Sequence, residues 1–540
     1  MESKKTTNIL MNIIILSMIC TLCYYGVRIS IVVVGKYTWY ESILAMLLVF
    51  AESFIILQAI GYALEVYPVL LKAKEKKETP SPLKEEPEVA IIIPSYEEPV
   101  KILQNTLFLC HNLNYKNKRI FLLDDTRYDL KKNQTEEMKK YKQDLEDLCK
   151  ELKVNIFRHK WRGAKAGIIN DFLTCLKNKF SGDDCELICF DEKGVTTPKY
   201  MVVLDSDQNP FMDFLDHLVP QIETDENIAF IQTPQYYTNS EINPVARAAA
   251  MQQVIFYEYI CEGKSTKNAT YCCGTNVIFR LDALYDVGGF DEGSITEDFA
   301  TSLVFHARGW RTLYDNKVGV FGRGPEDLGG FFKQQFRWAL GTLRQGRKLL
   351  SLLFVAPRTF TLAQWWEYFL SVAFYFTGFV YLILVICPIL YLIFDVPSYF
   401  ARIEVYGAVF IPYLVFSFTT FFLSLTKRGY KIKDIITGQF LIALSFPVFI
   451  KAVWYAFSNK KIKFAVTTKG GEGEKYPLRH IFPQMLLATC CLIAVIWALN
   501  RIIYEQYPIG ALVVTAFWSF YNFVFLSTIN FFATPRRNIS

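Results

Sequence analysis

The sequence predicts two joined parts: an α/β domain outside the membrane and a helical domain within it. Its 540 residues are 52% hydrophobic and 16% aromatic but also 20% charged. That composition is too apolar for an ordinary soluble protein and too charged for a purely intramembrane one. Apolar stretches long enough to cross a bilayer lie near both ends of the chain. Between them, residues 75–354 alternate apolar strands with polar helices, as α/β domains do.

Seven apolar stretches are candidates for membrane helices, because a spanning helix needs about 20 mainly apolar residues. They are residues 9–34, 43–64, 369–394, 405–425, 435–457, 482–499 and 509–532. Groups of basic residues flank them at positions 4–5, 72–77, 427–433, 460–463 and 536–537. Basic loops favour the cytoplasmic side, and all five groups can lie there only if 435–457 does not cross. We therefore expect six spans, with 435–457 as an amphipathic or re-entrant helix at the membrane surface.

This topology predicts the domain organisation. The expected order is two transmembrane helices in 1–71, a cytoplasmic α/β domain in 75–345, interface helices in 331–368, two transmembrane helices in 369–425, an interface helix and a loop in 430–475, and two transmembrane helices in 476–540. We expect a multi-pass protein of the plasma membrane. The net charge of +6 is spread along the chain, so the lipid bilayer is an expected partner and nucleic acid is not.

Acidic and polar residues follow three apolar strands of the α/β domain. The strand in "VAIIIPSYEEP" is followed by Ser95, Tyr96 and Glu97, and the strand in "RIFLLDD" ends in two aspartates. A third strand, in "YMVVLDSDQNP", ends in Asp205 and Asp207. Strands buried on both faces form a mostly parallel sheet, and ligands of such sheets collect at the carboxyl ends of the strands. This edge is therefore the predicted active site.

The residue types at this edge suit a metal-bound diphosphate. Two aspartates one residue apart can supply oxygen ligands to Mg²⁺ or Mn²⁺, although a lone pair of this kind is more often an acidic turn. Lys165 begins a predicted helix, where a cation and free backbone N–H groups can meet phosphate oxygens.

A second acidic group, in "SITEDFATSLVFHARGW", lies at the start of an amphipathic helix. Thr296 is expected to cap this helix, with Glu297 and Asp298 interacting favourably with its dipole. A carboxylate held there can also accept a proton from an attacking hydroxyl.

The motifs "PSYEEP", "LLDD", "AKAGIIN", "LDSD", "IQTPQYY", "CCGTNVIFR", "TED" and "QQFRW" occur in this order, followed by "FAVTTKGG". The set resembles the membrane-integrated, inverting family 2 glycosyltransferases that make β-linked polysaccharides, among them cellulose, hyaluronan, chitin and mixed-linkage glucan synthases. The resemblance covers nearly the whole chain. It implies a GT-A, Rossmann-like domain beneath a channel of transmembrane helices.

The resemblance also implies a role for each matching residue. Asp298 would be the general base, and Asp207, helped by Asp205, would hold Mg²⁺ or Mn²⁺. The acceptor sugar would contact Trp338, Cys273, Gly274 and Glu297. The UDP-sugar donor would be bound by Ser95, Tyr96, Glu97, Asp124, Asp125, Lys165, Asp205, Gln334, Gln335, Arg337, Thr467, Thr468 and Lys469.

The stretch "FAVTTKGG" resembles the FxVTxKG gating loop of cellulose-synthase-like enzymes, which covers the donor. This likeness favours UDP-glucose as donor and a β-1,4 or mixed β-1,3/1,4 glucan as the growing chain. Three features depart from that pattern. Gln208 stands where cellulose synthases usually have a histidine, only two spans precede the α/β domain, as in hyaluronan synthases, and no PilZ regulatory domain is expected.

Other function classes stay open at this point. A hyaluronan-like or other capsular polysaccharide synthase and a non-processive lipid glycosyltransferase are the alternatives within enzymes. An inactive membrane scaffold or a transporter is the alternative outside them, although the intact acidic set argues against a scaffold and the nucleotide-sugar domain against a transporter. Linkage, chain length, homo-oligomerisation and accessory subunits are left open by the sequence.

Overall fold

The computed structural model describes residues 2–72, 83, 85–161, 165–177, 185–191, 196–399, 403–458, 477–504 and 509–534. These residues form an α/β domain with an eight-stranded sheet and a set of long apolar helices. The fold class predicted from the sequence is therefore confirmed.

The strands are short and buried. Their bounds are β1 (Val89–Ser95), β2 (Lys118–Asp124), β3 (Asn155–His159), β4 (Cys185–Ile188), β5 (Tyr200–Val203), β6 (Asn209–Pro210), β7 (Ile228–Gln232), β8 (Tyr236–Tyr237), β9 (Val277–Arg280), β10 (Arg311–Tyr314) and β11 (Val320–Gly322). The main sheet has the order β10-β7-β9-β5-β1-β2-β3-β4, and β6, β11 and β8 form a small second sheet. Apolar side chains cover both faces of the central strands, which explains their continuous apolar runs.

The main sheet is mostly parallel, as the sequence predicts, but two of its strands run in the opposite direction. Strands β5, β1, β2 and β3 run parallel, as do β7 and β10. Strand β9 is antiparallel to β5 and β7, and β4 is antiparallel to β3. The chain enters β9 from Cys273 and Gly274, at the edge where the parallel strands end, so β9 must run in the opposite direction.

Helices cover the sheet and continue into the membrane part. In chain order they are α1 (Glu2–Val34), α2 (Trp39–Lys72), α3 (Val100–His111), α4 (Glu136–Glu151), α5 (Lys165–Lys177), α6 (Phe214–Ile222), α7 (Pro244–Ile255), α8 (Glu262–Thr266), α9 (Leu281–Val287), α10 (Glu297–Ala307), α11 (Leu328–Val355), α12 (Leu362–Ala373), α13 (Thr377–Phe394), α14 (Ile403–Thr426), α15 (Ile432–Ala443), α16 (Phe446–Phe457), α17 (Leu478–Tyr504), α18 (Ile509–Ser527) and α19 (Ile529–Ala533). A π-helical turn, Phe256–Cys261, joins α7 to α8.

Six helices within the described ranges are long and apolar enough to cross a membrane, in agreement with the six predicted spans. They are Thr6–Val34, Trp39–Lys72, Leu362–Phe394, Ile403–Thr426, Leu478–Tyr504 and Ile509–Ala533. Because α12 and α13 follow each other closely, they form one of these candidates together. The chain is thus a membrane protein with two helices before the α/β domain and four after it.

The stretch 435–457, which the sequence places at the membrane surface, forms the two short helices α15 and α16. They meet at a bend of 42° and would make a seventh candidate only if counted together. Each has 12 residues, so each is roughly 18 Å long, against a hydrocarbon core of about 30 Å. α15 packs on α7, and α16 packs on α11. Both partners belong to the α/β side of the molecule, but α16 also packs on the membrane helix α13, so the location at the membrane surface stays a prediction.

Buried ion pairs fasten the α/β domain to the membrane helices. The Lys264 ammonium of α8 lies 2.9 Å from a Glu367 oxygen of α12 and 3.6 Å from a Glu65 oxygen of α2. Lys267 also contacts Glu367, and these charges are largely removed from water. We call this group the Lys264 cluster. Breaking a buried ion pair costs about 3–5 kcal/mol, so the cluster holds the two parts in one position.

The packing of α16 on α11 generates a topological prediction. The Arg347 guanidinium of α11 donates to the Ala456 carbonyl at 3.1 Å, so the end of α16 lies on the α/β side. An epitope tag inserted after Ser458 should therefore be digested in inside-out vesicles and protected in intact cells. A tag at the α1–α2 turn, beside Lys36, is the matched control and should show the reverse pattern. Digestion of the Ser458 tag in intact cells would show that α15 and α16 cross the membrane.

Candidate active site

Three adjacent parallel strands deliver their carboxyl ends to one place. Ser95 of β1 is in register with Asp124 of β2, and Ile92 of β1 with Val203 of β5, just before Asp205. The Asp125 backbone N–H donates to the Ser95 carbonyl at 2.9 Å, which ties the two loops together. The juxtaposition expected from the sequence is therefore present in the structure.

Lys165 links two of the acidic segments. Its ammonium, at the first residue of α5, donates to Asp205 Oδ1 at 2.5 Å and to the Gly274 carbonyl at 2.6 Å. The Asp205 backbone N–H in turn donates to Thr275 Oγ1 at 2.9 Å. Lys165 is only partly exposed and lies near Glu297 as well. A cation is thus held among carboxylates at the edge where a diphosphate would bind.

The motif residues of α11 approach the same edge from the membrane side. Gln335 is buried and its amide donates to Gln252 Oε1 at 3.1 Å. Gln334, Arg337 and Asp207 all lie around the hydroxyl group of Tyr237. Helix α11 therefore brings an arginine towards the buried Asp207 carboxylate, in keeping with the two aspartates and "QQFRW" sharing one site.

Asp298, at the second residue of α10, has the properties of a proton acceptor. Burial and the adjacent negative charge of Glu297 raise the pKa of Asp298 to about 7. The Phe299 backbone N–H donates to Asp298 Oδ1 at 2.7 Å, while the cations Lys165 and Arg337 act in the opposite direction on the pKa. A carboxyl group poised near neutral pH can take a proton from a hydroxyl and release it afterwards.

Gly274 allows the chain to pass close to Asp298. It has a φ of +86°, and a Cβ atom built on it would lie 3.0 Å from Asp298 Oδ2. A side chain there would meet both backbone strain and the carboxylate. The glycine of "CCGT" is therefore required for the approach of this loop to the candidate base.

The helix cap expected at Thr296 is wrong. Thr296 precedes α10, but its hydroxyl makes no capping hydrogen bond and is buried without a partner among the described residues. The physical reason is packing against α11, since a Cβ on Gly341 would lie 2.3 Å from Thr296 Cγ2. The contact between α10 and α11 determines the side-chain conformation instead of the helix end.

A cavity of about 2040 Å³ begins at Asp298 and extends into the membrane part. Cys273 and Trp338 line its inner end beside Asp298. Further along, its wall includes Glu52 of α2, Tyr413 of α14 and Trp518 of α18. The space is thus continuous from the candidate base to the interior of the helix bundle, with aromatic and polar groups along its wall.

The aspartates after β2 have different surroundings. The Asp124 carboxylate is fully buried, and it accepts hydrogen bonds from Arg158 Nε at 2.8 Å and from the Tyr128 hydroxyl at 2.9 Å. Asp125 is slightly exposed and contacts His159. Of the two residues predicted to bind the donor, Asp124 is occupied by protein groups, and Asp125 is the one nearer to solvent.

The first loop lies against this pair. Glu97 has a φ of 52° and accepts a hydrogen bond from Asn133 Nδ2 at 2.8 Å, while Tyr96 lies near Asp125 and is partly exposed. The predicted donor residues Thr467, Thr468 and Lys469 fall outside the described residues.

Several residues of the site are absent from the sequence prediction. His159 and Arg158 follow "NIF" at the end of β3, and nothing local in the sequence marks them as partners of the aspartates after β2. Thr342 lines the cavity beside Trp338 and Gln335. Its position could be derived, because residues 335, 338 and 342 lie on one face of a helix.

Two family models match the part of the chain that carries this site. The model described as Glycosyl transferase family 2 matches residues 90–288, and the one described as Glycosyl transferase family group 2 matches residues 200–428. The first match covers most of the main sheet, which is the GT-A domain that the motifs imply. The second extends through α11 into the helices of the membrane part.

Curated relatives give the same family. The cellulose synthase catalytic subunit [UDP-forming] of Pseudomonas fluorescens is 26% identical over 98% of this chain and 67% of its own length. The cellulose synthase 1 catalytic subunit of Komagataeibacter xylinus is 25% identical over 91% of this chain and 62% of its own. A cellulose synthase from Dictyostelium discoideum is 38% identical over 28% of this chain and 14% of its own. The chain thus spans between 14% and 67% of the length of these relatives.

Among solved structures, the mannosyltransferase PcManGT from Pyrobaculum calidifontis, in complex with GDP-Man and Mn²⁺, aligns with 77% of this chain and 100% of its own. The TM-score is 0.48 and the sequence identity 15%. Both family models describe family 2 glycosyltransferases and together match residues 90–428: the chain carries a family 2 glycosyltransferase domain and is similar to cellulose synthase catalytic subunits.

Proposed function

We propose that the chain is a processive, inverting β-glycosyltransferase that polymerises glucose from UDP-glucose into a β-glucan and passes the product through its own membrane helices. The observation that carries this proposal is the cavity that joins Asp298 to the interior of the helix bundle. A chain elongated at one end of such a space can leave along it. The names of the relatives, cellulose synthase catalytic subunit [UDP-forming], indicate the donor and the product class.

In this mechanism Asp298 takes the proton of the acceptor hydroxyl as that oxygen attacks the anomeric carbon of the donor. The new C–O bond forms while the bond from that carbon to the diphosphate oxygen breaks, and UDP leaves with both electrons of the broken bond. The ammonium of Lys165 and the guanidinium of Arg337 lie near Asp298 and are placed to offset the charge on the leaving diphosphate. Attack from the face opposite the leaving group inverts the anomeric centre.

The donor set fits a divalent cation only together with the substrate. Within the described ranges, no group of three or more His, Cys, Asp or Glu side chains is arranged to hold a metal ion. Mg²⁺ binds through one or two carboxylates plus substrate phosphate oxygens, and Asp207 with Asp205 supply those carboxylates. The bound ion would add positive charge at the diphosphate, and either Mg²⁺ or Mn²⁺ suits these ligands.

Trp338 suits the acceptor end of the cavity. An indole ring packs against the apolar face of a sugar ring while the sugar hydroxyls stay free for hydrogen bonds. Cys273, which lines the cavity, and Gly274 and Glu297, which lie beside Asp298, complete the acceptor subsite in this proposal. Ser95, Tyr96, Glu97 and Asp125, at the carboxyl ends of β1 and β2, would hold the nucleotide. Thr467, Thr468 and Lys469 would close over the donor.

The proposal places the α/β domain in the cytoplasm, where nucleotide sugars are made, and the helices in the plasma membrane.

The test of the proposed activity uses purified full-length protein in lipid nanodiscs with a panel of radiolabelled UDP-sugars. UDP-glucose alone should yield a polymer that β-1,4 or mixed-linkage glucanases degrade. A polymer made only from other UDP-sugars, or a labelled lipid without polymer, would overturn the proposal and identify the class of product instead.

Replacing the candidate base should separate binding from elongation. Asp298→Asn keeps the shape of the side chain but removes its ability to take a proton, so synthesis should fall by about 10²–10⁴-fold. UDP binding should stay within a few-fold of the wild-type value by isothermal titration. Asp282→Asn, an exposed carboxylate of α9, is the matched control and should leave both unchanged. Normal elongation in Asp298→Asn would exclude this role.

The raised pKa of Asp298 predicts the acid limb of the pH–rate profile. The base must be ionised, so activity should rise with pH through about 7 and lose about tenfold for each pH unit below it. Glu297→Gln removes the neighbouring negative charge that raises this pKa, so its acid limb should move to lower pH. Initial rates of UDP release between about pH 5.5 and 8.5 measure both. Identical limbs in the two proteins would contradict the coupling of these carboxylates.

Synthesis should depend on a divalent metal ion that Asp205 and Asp207, the two aspartates after β5, hold. Synthesis should be lost in EDTA and restored by Mg²⁺ or Mn²⁺, and Asp207→Asn should lower it by on the order of a hundredfold even at saturating metal. Because Asn fills the same buried space, the variant should keep the wild-type melting temperature. Full turnover in EDTA would refute the metal assignment.

A further inference from the structure

His159, the last residue of β3, lies between two aspartates. Its Nε2 is 3.0 Å from Asp125 Oδ1, and its Nδ1 contacts Asp171 Oδ2 on α5. The imidazole is almost fully buried, with 1% of its side chain exposed, whereas 9% of the Asp125 side chain is exposed. A buried histidine is therefore placed directly behind the aspartate that faces the donor side of the site.

The two contacts constrain the protonation of the ring. A neutral imidazole has one N–H group and one acceptor nitrogen, whereas an imidazolium donates from both nitrogens. Ionised carboxylates only accept hydrogen bonds. Both contacts can therefore be hydrogen bonds to ionised aspartates only if His159 is protonated. In that state His159 fixes the Asp125 carboxylate through Oδ1, while Oδ2 has no hydrogen-bond partner within the described ranges.

The other charged side chains near His159 contact groups other than its ring. The adjacent Arg158 donates to Asp124 and to Glu146 of α4, and the Glu186 carboxylate of β4 lies 3.8 Å from this same arginine. Arg127 and Asp124 act on the pKa of Asp125 in opposite directions. Among the described residues, Asp125 and Asp171 are therefore the charged groups in direct contact with the ring from the elements packed around it, β2 and α5.

We propose that His159 is a positioning residue for donor binding: its imidazolium, anchored by Asp171, orients the Asp125 carboxylate to accept a hydrogen bond from an N–H or O–H group of the nucleoside. This inference rests on the proposed function, in which a uridine nucleotide occupies this side of the sheet edge. The inference adds His159 to the residues that the donor site needs. Recognition of the nucleoside then depends on the protonation of this side chain, which does not touch the nucleoside.

The dependence on His159 protonation predicts how donor binding changes with pH. Burial alone would lower the pKa of His159, but the hydrogen bonds and charges of Asp125 and Asp171 outweigh it and raise the pKa. The imidazolium therefore persists above the ordinary histidine value of about 6.5. Donor binding should be strongest below the raised pKa of His159 and should weaken as pH rises through it.

The experiment measures UDP affinity by isothermal titration from about pH 5.5 to 8.5 with full-length protein in nanodiscs and saturating Mg²⁺. His159→Gln keeps one N–H donor but cannot carry the charge. Asp171→Asn leaves His159 and Asp125 in place but removes the anchoring charge. His217→Gln is the matched control, because His217 also contacts an aspartate, Asp315, at a place remote from the site. Melting temperatures establish that each variant is folded.

We expect wild-type UDP affinity to fall about tenfold as pH rises through the pKa of His159. His159→Gln should bind about tenfold more weakly at low pH and lack this step, while Asp171→Asn should show the step at lower pH. His217→Gln should match the wild type. A purely structural role for His159 would lower affinity equally at every pH or not at all.

The outcomes separate this inference from the proposed function. If UDP affinity follows these profiles but UDP-glucose yields no glucan, the positioning role stands and the proposed function falls. If glucan forms while His159→Gln and Asp171→Asn keep the wild-type affinity and pH profile, the positioning role is overturned and the function stands. If the wild type binds no UDP across the pH range, both are overturned.

Discussion

Concentrated negative charge at one edge of a buried sheet is the constraint on which the rest of this structure depends. Asp124, Asp205, Asp207 and Asp298 converge where parallel strands end. Asp124 and Asp207 are buried, and carboxylates removed from water are costly unless cations or N–H groups meet them. Three neighbouring elements each supply one such group: α5 supplies Lys165, β3 supplies Arg158, and α11 supplies Arg337. The helices around the edge are therefore fixed by charge as well as by apolar packing, and the site exists before any substrate arrives.

Helix α11 connects this charged edge to the membrane. Its N-terminal half carries the glutamines, the arginine and the tryptophan of "QQFRW", while its other contacts are with α12 and α16. One continuous helix of 28 residues therefore sets both the position of the candidate acceptor subsite and the surface on which the membrane-facing helices rest. The same helix borders the cavity, because Gln335 and Trp338 line it near Asp298, while residues of α2, α14 and α18 line it further along.

The sequence allowed derivation of the fold class and the six spans, because hydrophobic periodicity is a local property of the chain. It also allowed derivation of the meeting of three acidic strand ends, because parallel strands end at the same edge of a sheet. The direction of β9 and the conformation of Thr296 could not, because both follow from contacts with segments far along the chain. His159 was missed for the same reason: its two aspartates belong to different elements, and only the paired strands and α5 bring them together. Asp124 and Asp125 are identical in sequence character, and only burial distinguishes them.

The Lys264 cluster has a mechanical consequence. It joins α2, α8 and α12 through charges that water scarcely reaches, and a second clamp joins Arg428, after α14, to Glu258 and Glu262. With ion pairs on two sides, the α/β domain cannot rotate against the membrane helices without exposing unpaired charge. Under the proposed function, advance of the polymer by one sugar therefore comes from displacement of the polymer itself and of small local parts of the protein, within a fixed framework.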